Sequence, residues 1–302
     1  MEYLVLGLVL LAGALAVGYP LQWQDLGPIK EMRLDMAPTS FDDQYQGCSH
    51  VMEEELRELN HTEFTNNRVY ADYWTHATAK WQKKAGNVPK PPGMRAEHAV
   101  ALMAYTLPGS LYQTFNAAVH EAGRSCNEYL YKFHFKTLHF LLTQALRILR
   151  NARPKCYQVY RGVQGIHFTA RPQDLIRFGQ FTFSSFLKSV AESYGQDTFF
   201  SVYTCYGVPI KNFSFYHDED EVLIPPYERF VVINITKHGK RTYIQLQSKD
   251  TFSNYNCEWV KGKRCQDQPC DFNAGESGAP AANGEGDARM SPPCLTLTSP
   301  NL

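Results

Sequence analysis

The hydrophobic period of the chain changes near Pro154, and this change restricts the fold more than any other feature. Between about Cys48 and Asn151 the apolar residues recur at helical spacing, most clearly from about Asn127 to Leu149. After Pro154 the apolar segments are short, β-branched or aromatic, and turn-forming residues separate them. Helices followed by strands predict an α+β fold with an antiparallel or mixed sheet rather than alternating βαβ units.

The same patterns predict individual elements. Helices are predicted at about 48–59, 97–106, 111–122 and 127–149. Strands are predicted at 157–163, 198–206, 213–216, 221–224, 229–235 and 241–246. His134 and His139 are predicted to be packed or rim residues of the longest helix, because no carboxylate or cysteine is spaced to share a metal with them. The sequence therefore predicts no metal site.

The two ends of the chain are predicted to lie outside the folded domain. Residues 1–18 form an apolar run that closes on small residues and is short for a membrane span, so we interpret it as a cleaved signal peptide. Residues 266–302 are rich in Gly, Ala, Pro, Ser and Asn, which predicts a disordered tail. That tail has no terminal hydrophobic segment of the kind that directs a lipid anchor. The mature protein is therefore expected to be a secreted monomer without a membrane anchor.

Charge and cysteine content further restrict the possible classes of function. Lysine plus arginine equals aspartate plus glutamate at 30 each, so no overall positive field favours nucleic acid, and no nucleic-acid partner is expected. Eight cysteines behind a signal peptide indicate structural disulfides, since they lack the spacing of a zinc site. Three sequons, at Asn60, Asn212 and Asn234, fit passage through the secretory pathway.

An acidic run from Asp218 to Glu221 leads directly into a short apolar strand. On an extended chain Glu219 and Glu221 share one face, roughly 7 Å apart at their Cα atoms. Paired carboxylates on one face suit chemistry at the anomeric carbon of a sugar, where positive charge develops. A solvated acidic turn before a core strand is the alternative. A glycoside hydrolase is disfavoured, because its two carboxylates flank the scissile bond from two sides.

Two further segments of the strand-rich half carry candidate binding residues. Arg161 is a lone arginine among aromatic residues of a predicted strand, and its guanidinium could hold a pyrophosphate by two parallel hydrogen bonds. The segment from Arg177 to Ser185 combines glutamine, hydroxyls and aromatic rings that suit a flat heterocycle. For Arg161 the alternative is an arginine paired with a carboxylate at a strand edge. For the segment from Arg177 to Ser185 it is an ordinary amphipathic strand.

Together these segments resemble the vertebrate ecto mono-ADP-ribosyltransferases that act on arginine, and most closely the avian erythroblast type. The resemblance covers nearly the whole mature chain, so residues 19–265 are expected to form the catalytic domain. Five segments carry it, in the order that the family has: Ser40–Cys48, Phe133–His139, Val159–Gly162, Arg177–Phe181 and Glu221–Pro226.

This resemblance implies an N-terminal helical part packed on two β-sheets, with NAD⁺ in the cleft between the sheet edges. The implied activity is transfer of ADP-ribose from NAD⁺ to arginine side chains of acceptor proteins, with NAD⁺ hydrolysis as a side activity. By position, Arg161 would hold NAD⁺, Glu221 would be the catalytic glutamate, and Glu219 would confer arginine acceptance. Tyr105 and Gln180 would be further NAD⁺ contacts.

Family pairing implies disulfides between Cys48 and Cys257 and between Cys156 and Cys205. The other four cysteines have no implied partner, and Cys126 is expected to be a free thiol. The unassigned cysteines are Cys126, Cys265, Cys270 and Cys294.

The chain departs from the family pattern at one site position. The family usually has a serine two residues after Phe181, whereas this chain has Phe183 there, followed by Ser184 and Ser185. If the missing serine orients Glu221 and the ribose of NAD⁺, its loss costs about 1 to 3 kcal/mol of positioning. Ser184 could replace it as a catalytic and NAD⁺-binding residue only through a one-residue slip or bulge of the strand. Alignment from Leu187 and Lys188 instead of Phe181 would place the serine of some relatives at Ser184, and the sequence does not decide between the two alignments. An active transferase and a secreted binding protein of weakened catalysis therefore both remain open.

Overall fold

The computed structural model describes residues 29–267, with side chains as far as Gly262. The predicted signal peptide and all but the first two residues of the predicted tail lie outside the described residues. The helices are α1 Ser49–Asn66, α2 Arg68–Lys84, α3 Ala96–Thr106, α4 Leu111–Ala122, α5 Lys136–Ala152, α6 Lys188–Ser193 and α7 Glu258–Asp267. The strands are β1 Lys30–Arg33, β2 Tyr157–Val163, β3 Ile166–Thr169, β4 Leu175–Arg177, β5 Thr182–Ser185, β6 Thr198–Thr204, β7 Val208–Pro209, β8 Glu221–Ile224, β9 Glu228–His238 and β10 Arg241–Thr251. Within this part of the chain, no helix combines the length and apolarity that crossing a membrane requires.

The helical part is built around α3, buried from His98 onward, and the first three turns of α5, which are buried on all sides. The region of α2 was predicted to be helical in general, but no individual helix was assigned there, although its buried residues Tyr70, Ala77 and Trp81 follow helical spacing. The helix predicted at 127–149 is wrong as a single element. A five-residue π-helix at Glu128–Lys132 is followed by a break, and α5 begins only at Lys136.

A buried carboxylate explains where α5 begins. Glu63 of α1 accepts hydrogen bonds from the backbone N–H groups of Lys136 at 2.5 Å and Thr137 at 2.9 Å, which lie in the first turn of α5. These N–H groups have no partner inside their own helix, so a carboxylate from a neighbouring helix stabilises a new helix start. The break therefore depends on a contact between residues far apart in sequence.

The large sheet consists of two parts that meet along a narrow seam. The order in the large sheet is β4-β9-β10-β6-β2-β5-β8-β7, and β1 pairs with β3 separately. The sheet is mixed, because β6 and β10 are parallel whereas the other pairs in it are antiparallel. Strands β2 and β5 share a single residue pair, Tyr160 with Ser185. The fold prediction of a helical part on a two-sheet β core is confirmed, with this seam dividing five strands from three.

Strand β8 lies between two apolar cores, and all four of its residues are buried. Leu223 packs into the core of the helical part, whereas Val222 and Ile224 pack into the core of the sheet. Since side chains alternate along a strand, Glu221 shares the face of Leu223 and points toward the helical part. The strand predicted at 213–216 is wrong: this segment is a turn in which the N–H groups of Phe213 and Ser214 both donate to the carbonyl of Ile210.

Two disulfides agree with the pairing that the family resemblance implied. Cys48 is bonded to Cys257, which links the start of α1 to the start of α7, and Cys156 is bonded to Cys205 across β2 and β6. The expectation of a free thiol at Cys126 is wrong, because this cysteine is disulfide-bonded.

Candidate active site

A cavity of about 630 Å³ opens at the seam between β2 and β5, beneath the loop that joins α3 to α4. Six residues predicted from the sequence or compared with the family line it together: Tyr105, Arg161, Phe183, Ser184, Glu219 and Glu221. Gln180 is not among the residues that line this cavity, and its backbone carbonyl accepts a hydrogen bond from Thr182. The fold thus brings together the arginine of β2 and both glutamates.

Arg161 lies in the middle of β2 and reaches across the seam. Its Nη1 donates to the backbone carbonyl of Phe183 at 2.8 Å, and this is its one hydrogen bond among the described residues. Burial lowers the pKa of Arg161, but a guanidinium keeps its charge at any physiological pH. Because the group has five N–H donors, most of its hydrogen-bonding capacity is available to a ligand in the cavity.

Glu221 is the first residue of β8, and only 6% of it is exposed. The hydroxyl of Ser214 is hydrogen-bonded to its Oε2 atom. Burial raises the pKa of Glu221 to about 7, the nearby charge of Glu219 adds to that increase, and the Ser214 hydrogen bond opposes it. A carboxylate that titrates near neutral pH inside a cavity is typical of a residue with a chemical role.

Glu219 reaches the same cavity by a different backbone path from the one predicted. It ends a single 3₁₀ turn, His217–Glu219, and Asp220 then adopts a left-handed conformation with φ of 44° before β8 begins. The prediction that Glu219 and Glu221 share one face of a strand is therefore wrong, although both carboxylates line the cavity. A short polar side chain such as aspartate tolerates the left-handed region better than most residues.

Side chains on both sides hold this turn. The hydroxyl of Tyr194, at the end of α6, lies 2.8 and 2.7 Å from the two carboxylate oxygens of Glu219. Lys211 forms an ion pair with Asp220 at 2.6 Å, and the hydroxyl of Ser185 donates to the backbone carbonyl of Glu219 at 2.5 Å. The orientation of Glu219 therefore depends on α6 and on β5.

Neither serine of β5 has its hydroxyl bonded to the Glu221 carboxylate. The register runs without a break from Thr182 opposite Ile224 to Ser185 opposite Glu221, so the strand contains no bulge. The hydroxyl of Ser184 donates to the backbone carbonyl of Val222 at 2.8 Å. Both serine hydroxyls of β5 thus donate to backbone carbonyls of the segment that carries the two glutamates.

Aromatic rings form much of the cavity wall. The ring of Phe183 lies 4.8 Å from that of Tyr105 and 5.9 Å from that of Tyr112, measured between centroids. The hydroxyl of Tyr105 donates to the backbone carbonyl of Phe181 at 2.6 Å and accepts from Asn116 at 2.9 Å. Tyr105 therefore presents a ring to the cavity, while its hydroxyl anchors the start of β5 to the helical part.

Ser214, Tyr194 and Tyr216 are site residues that sequence reasoning missed. Ser214 and Tyr216 were interpreted only as part of the strand predicted at 213–216, and Ser214 also as the last residue of a sequon, whereas Tyr194 occurs in a segment without a distinctive pattern. Their proximity to the two glutamates follows from the conformation of the loop before β8 and from the placement of α6. A tyrosine or serine close to an acidic motif in the sequence is a weak signal on its own.

Comparisons with known proteins agree with this arrangement. The chain matches the family model of NAD:arginine ADP-ribosyltransferases over residues 34–254. It is 54% identical over 252 residues to the erythroblast NAD(P)(+)--arginine ADP-ribosyltransferase of Gallus gallus, covering 83% of this chain and 84% of the relative. It is 45% identical over 287 residues to the GPI-linked NAD(P)(+)--arginine ADP-ribosyltransferase 1 of Homo sapiens, covering 89% of this chain and 87% of the relative.

A solved structure agrees as well. The crystal structure of the eucaryotic mono-ADP-ribosyltransferase ART2.2 aligns with a TM-score of 0.65 and 39% identity, covering 75% of this chain and 98% of that chain. Crystal structures of two ART2.2 mutants are complexes with NADH and with NAD. The fold and the cavity thus define an ADP-ribosyltransferase. The chain belongs to the NAD:arginine ADP-ribosyltransferase family.

Proposed function

We propose that this protein transfers ADP-ribose from NAD⁺ to arginine side chains of acceptor proteins and releases nicotinamide, with slow NAD⁺ hydrolysis as a side reaction. The observation that carries the proposal is the presence of Arg161, Glu219 and Glu221 around one cavity. The volume of about 630 Å³ lies within the usual range for small-molecule sites. The complexes of ART2.2 with NAD and NADH support NAD⁺ as the co-substrate.

The cavity residues suit the charges of NAD⁺. The Arg161 guanidinium matches the pyrophosphate, which it can hold by parallel charge-assisted hydrogen bonds. The aromatic wall at Tyr105 and Phe183 offers faces for a flat ring. Glu221 in its ionised form stabilises the positive charge that develops on the ribose when nicotinamide departs with the electron pair of its bond.

Glu219 would act on the arginine side chain of the acceptor protein. An arginine guanidinium is protonated because its pKa exceeds about 12, so the nitrogen that bonds to the ribose must lose a proton as the bond forms. The Glu219 carboxylate lines the cavity near Glu221 and is partly exposed, so it can orient the guanidinium and take that proton. The Tyr194 hydroxyl keeps this carboxylate turned toward the cavity.

The division of roles is testable with three variants and a labelled-NAD⁺ assay on agmatine or polyarginine. We expect Glu219→Gln to lose arginine transfer while retaining some NAD⁺ hydrolysis, and Glu221→Gln to lose both. Asp218→Asn is the matched control, since Asp218 belongs to the same acidic run but is exposed and does not line the cavity. Full transfer by Glu219→Gln would contradict the assignment, and mass spectrometry of the acceptor locates the modified side chain.

One observation favours a second candidate, a binding protein of weakened catalysis on the same fold. Phe183 occupies the position where the family usually has serine, and no β5 hydroxyl is hydrogen-bonded to the Glu221 carboxylate. Under this second candidate the wild-type protein binds NAD⁺ without measurable transfer, and Phe183→Ser gains activity. Under our proposal the wild-type protein is already active.

We also propose that the protein acts outside the cell as a secreted enzyme. The apolar N-terminal run supports this location, as do the two disulfides, which persist in oxidising compartments. Because the human relative is named as GPI-linked, the test must separate release from anchoring. We expect the protein in the medium of expressing cells without phospholipase treatment, and retention on the cell surface would contradict secretion.

A further inference from the structure

Ser214 carries a buried hydroxyl that is hydrogen-bonded to the carboxylate of Glu221, to which the proposed function assigns the chemistry. It lies in the turn between β7 and β8 and has no exposed surface. Its own N–H and that of Phe213 both donate to the backbone carbonyl of Ile210, at 2.8 and 2.7 Å. The backbone thus holds this serine in place independently of its side chain.

The hydrogen bonds around the Ser214 hydroxyl define its direction. The backbone N–H of Tyr216 donates to Ser214 Oγ at 2.9 Å. The hydroxyl oxygen is therefore an acceptor from Tyr216, and its own proton is available for the Oε2 atom of Glu221, with which it is hydrogen-bonded. The Tyr216 N–H fixes the position of the Ser214 hydroxyl. A carboxylate that accepts a hydrogen bond from a hydroxyl fixed in this way loses rotational freedom, and the bond favours its ionised form.

We propose that Ser214 is the positioning residue of Glu221, and that it supplies from the β7–β8 turn the hydroxyl contact to this carboxylate that neither serine of β5 makes. This inference rests on the proposed function, in which Glu221 must be ionised and aimed at the ribose. It also explains how the site keeps an oriented glutamate although Ser184 and Ser185 bind backbone carbonyls.

The effect on ionisation has a definite sign. Burial raises the pKa of Glu221 to about 7, and the Ser214 hydrogen bond acts against that increase. Removing the hydroxyl raises the pKa further, so a smaller fraction of Glu221 is ionised at neutral pH. The other charged or titratable groups that line the same cavity are Glu219 from the 3₁₀ turn, Tyr160 and Arg161 from β2, Tyr105 from α3, Tyr112 from α4, Tyr194 at the end of α6 and Tyr216 from the loop.

Ser214 also completes the sequon that begins at Asn212, so its substitution removes a glycosylation signal as well as a hydroxyl. Asn212 is exposed, and the structure gives its side chain no contact with the cavity. Asn212→Gln therefore removes the sequon alone and is the matched control for Ser214→Ala. Ser214→Thr retains both the hydroxyl and the sequon.

The first experiment measures agmatine transfer and NAD⁺ hydrolysis for these variants between pH 5 and 9. We expect Ser214→Ala to lower the rate at neutral pH by about 10- to 100-fold, because it removes a hydrogen bond to a charged group. We expect the acid limb of that variant to move to higher pH, so that the deficit shrinks in alkaline buffer. Asn212→Gln should match the wild type, and Ser214→Thr should restore much of the rate. A Ser214→Ala enzyme with the wild-type rate and acid limb would overturn the inference.

The second experiment measures the effect of Ser214 on the pKa of Glu221 without relying on catalysis. The ¹³C carboxyl resonance of Glu221 is identified by its absence in Glu221→Gln and then titrated in wild type and Ser214→Ala. We expect a higher midpoint in Ser214→Ala, and an unchanged midpoint refutes the positioning role even for an inactive protein. A shifted midpoint in a protein without transferase activity would instead refute the proposed function alone. If Ser214→Ala does not fold by circular dichroism, Ser214→Cys, with a weaker donor of similar volume, replaces it in both measurements.

Discussion

Replacing Tyr105 with phenylalanine separates a structural role of this residue from direct NAD⁺ binding. The hydroxyl of Tyr105 is fully buried and makes two hydrogen bonds, to the carbonyl of Phe181 and from Asn116. In Tyr105→Phe the Phe181 carbonyl keeps its second donor, Asn116 at 3.1 Å, so no backbone acceptor is left unpaired. We therefore expect a loss of about 1 to 2 kcal/mol in the free energy of unfolding, since a neutral hydrogen bond contributes about 0.5 to 1.5 kcal/mol net.

The binding of NAD⁺ should change little in the same variant. The ring that lines the cavity remains and the hydroxyl is already occupied, so we expect the Kd for NAD⁺ to change by less than about threefold. Urea unfolding and isothermal calorimetry measure the two quantities, and the Tm should fall by roughly 2 to 8 °C.

Tyr112→Phe is the matched control for Tyr105→Phe. Tyr112 lines the same cavity, but its hydroxyl only accepts a bond from the exposed side chain of Gln113. We expect this variant to change the free energy of unfolding by less than about 0.5 kcal/mol. If Tyr105→Phe weakened NAD⁺ binding tenfold at unchanged stability, the hydroxyl would be a ligand contact and the reasoning would be wrong.

Three further substitutions test other parts of the structure. Glu63→Ala leaves the N–H groups of Lys136 and Thr137 without their acceptor and should lower the free energy of unfolding by roughly 3 to 5 kcal/mol in urea titrations, with a smaller loss for Glu63→Gln. The folded-state pKa of Glu221 is raised from 4.5 to about 7, so wild-type stability falls as pH rises through that interval. Glu221→Gln avoids this loss and should be more stable than the wild type by roughly 3 kcal/mol above pH 7 but not below pH 4.5, as urea unfolding at both pH values would reveal. Arg161→Lys replaces the guanidinium fork by a point charge and should raise the KM for NAD⁺ about tenfold or more, measured by initial rates.

Much of the fold follows from hydrophobic period alone. The bounds predicted for α4, β2 and β8 agree with the structure, because each is a short segment whose burial pattern is set by its own sequence. The break before α5 was not predictable in this way. Its apolar stripe continues through Phe133 and Phe135, and the buried carboxylate that starts α5 comes from a helix far earlier in the chain.

The site was predictable only in part, for a related reason. Arg161 and Glu221 lie in regular strands, where position in the sequence determines the face that a side chain occupies. Glu219 lies beyond the strand end, and the left-handed conformation of Asp220 sets its direction instead. Ser214 and Tyr194 reach the glutamates through a turn and a helix end, whose geometry depends on tertiary packing.

The narrow seam between β2 and β5 affects how the two sides of the cavity are held together. The ladder pair of Tyr160 with Ser185 and the side-chain hydrogen bond from Arg161 to the Phe183 carbonyl both span it. The pairing of β2 with β6 has seven residue pairs and that of β5 with β8 has four, so backbone pairing is sparsest at the joint itself. Val222 and Ile224 of β8 nevertheless pack in the same apolar core as Val159 of β2. Under the proposed function the guanidinium that spans the joint also holds the pyrophosphate of NAD⁺, so we expect NAD⁺ binding and the separation of β2 from β5 to be coupled through Arg161.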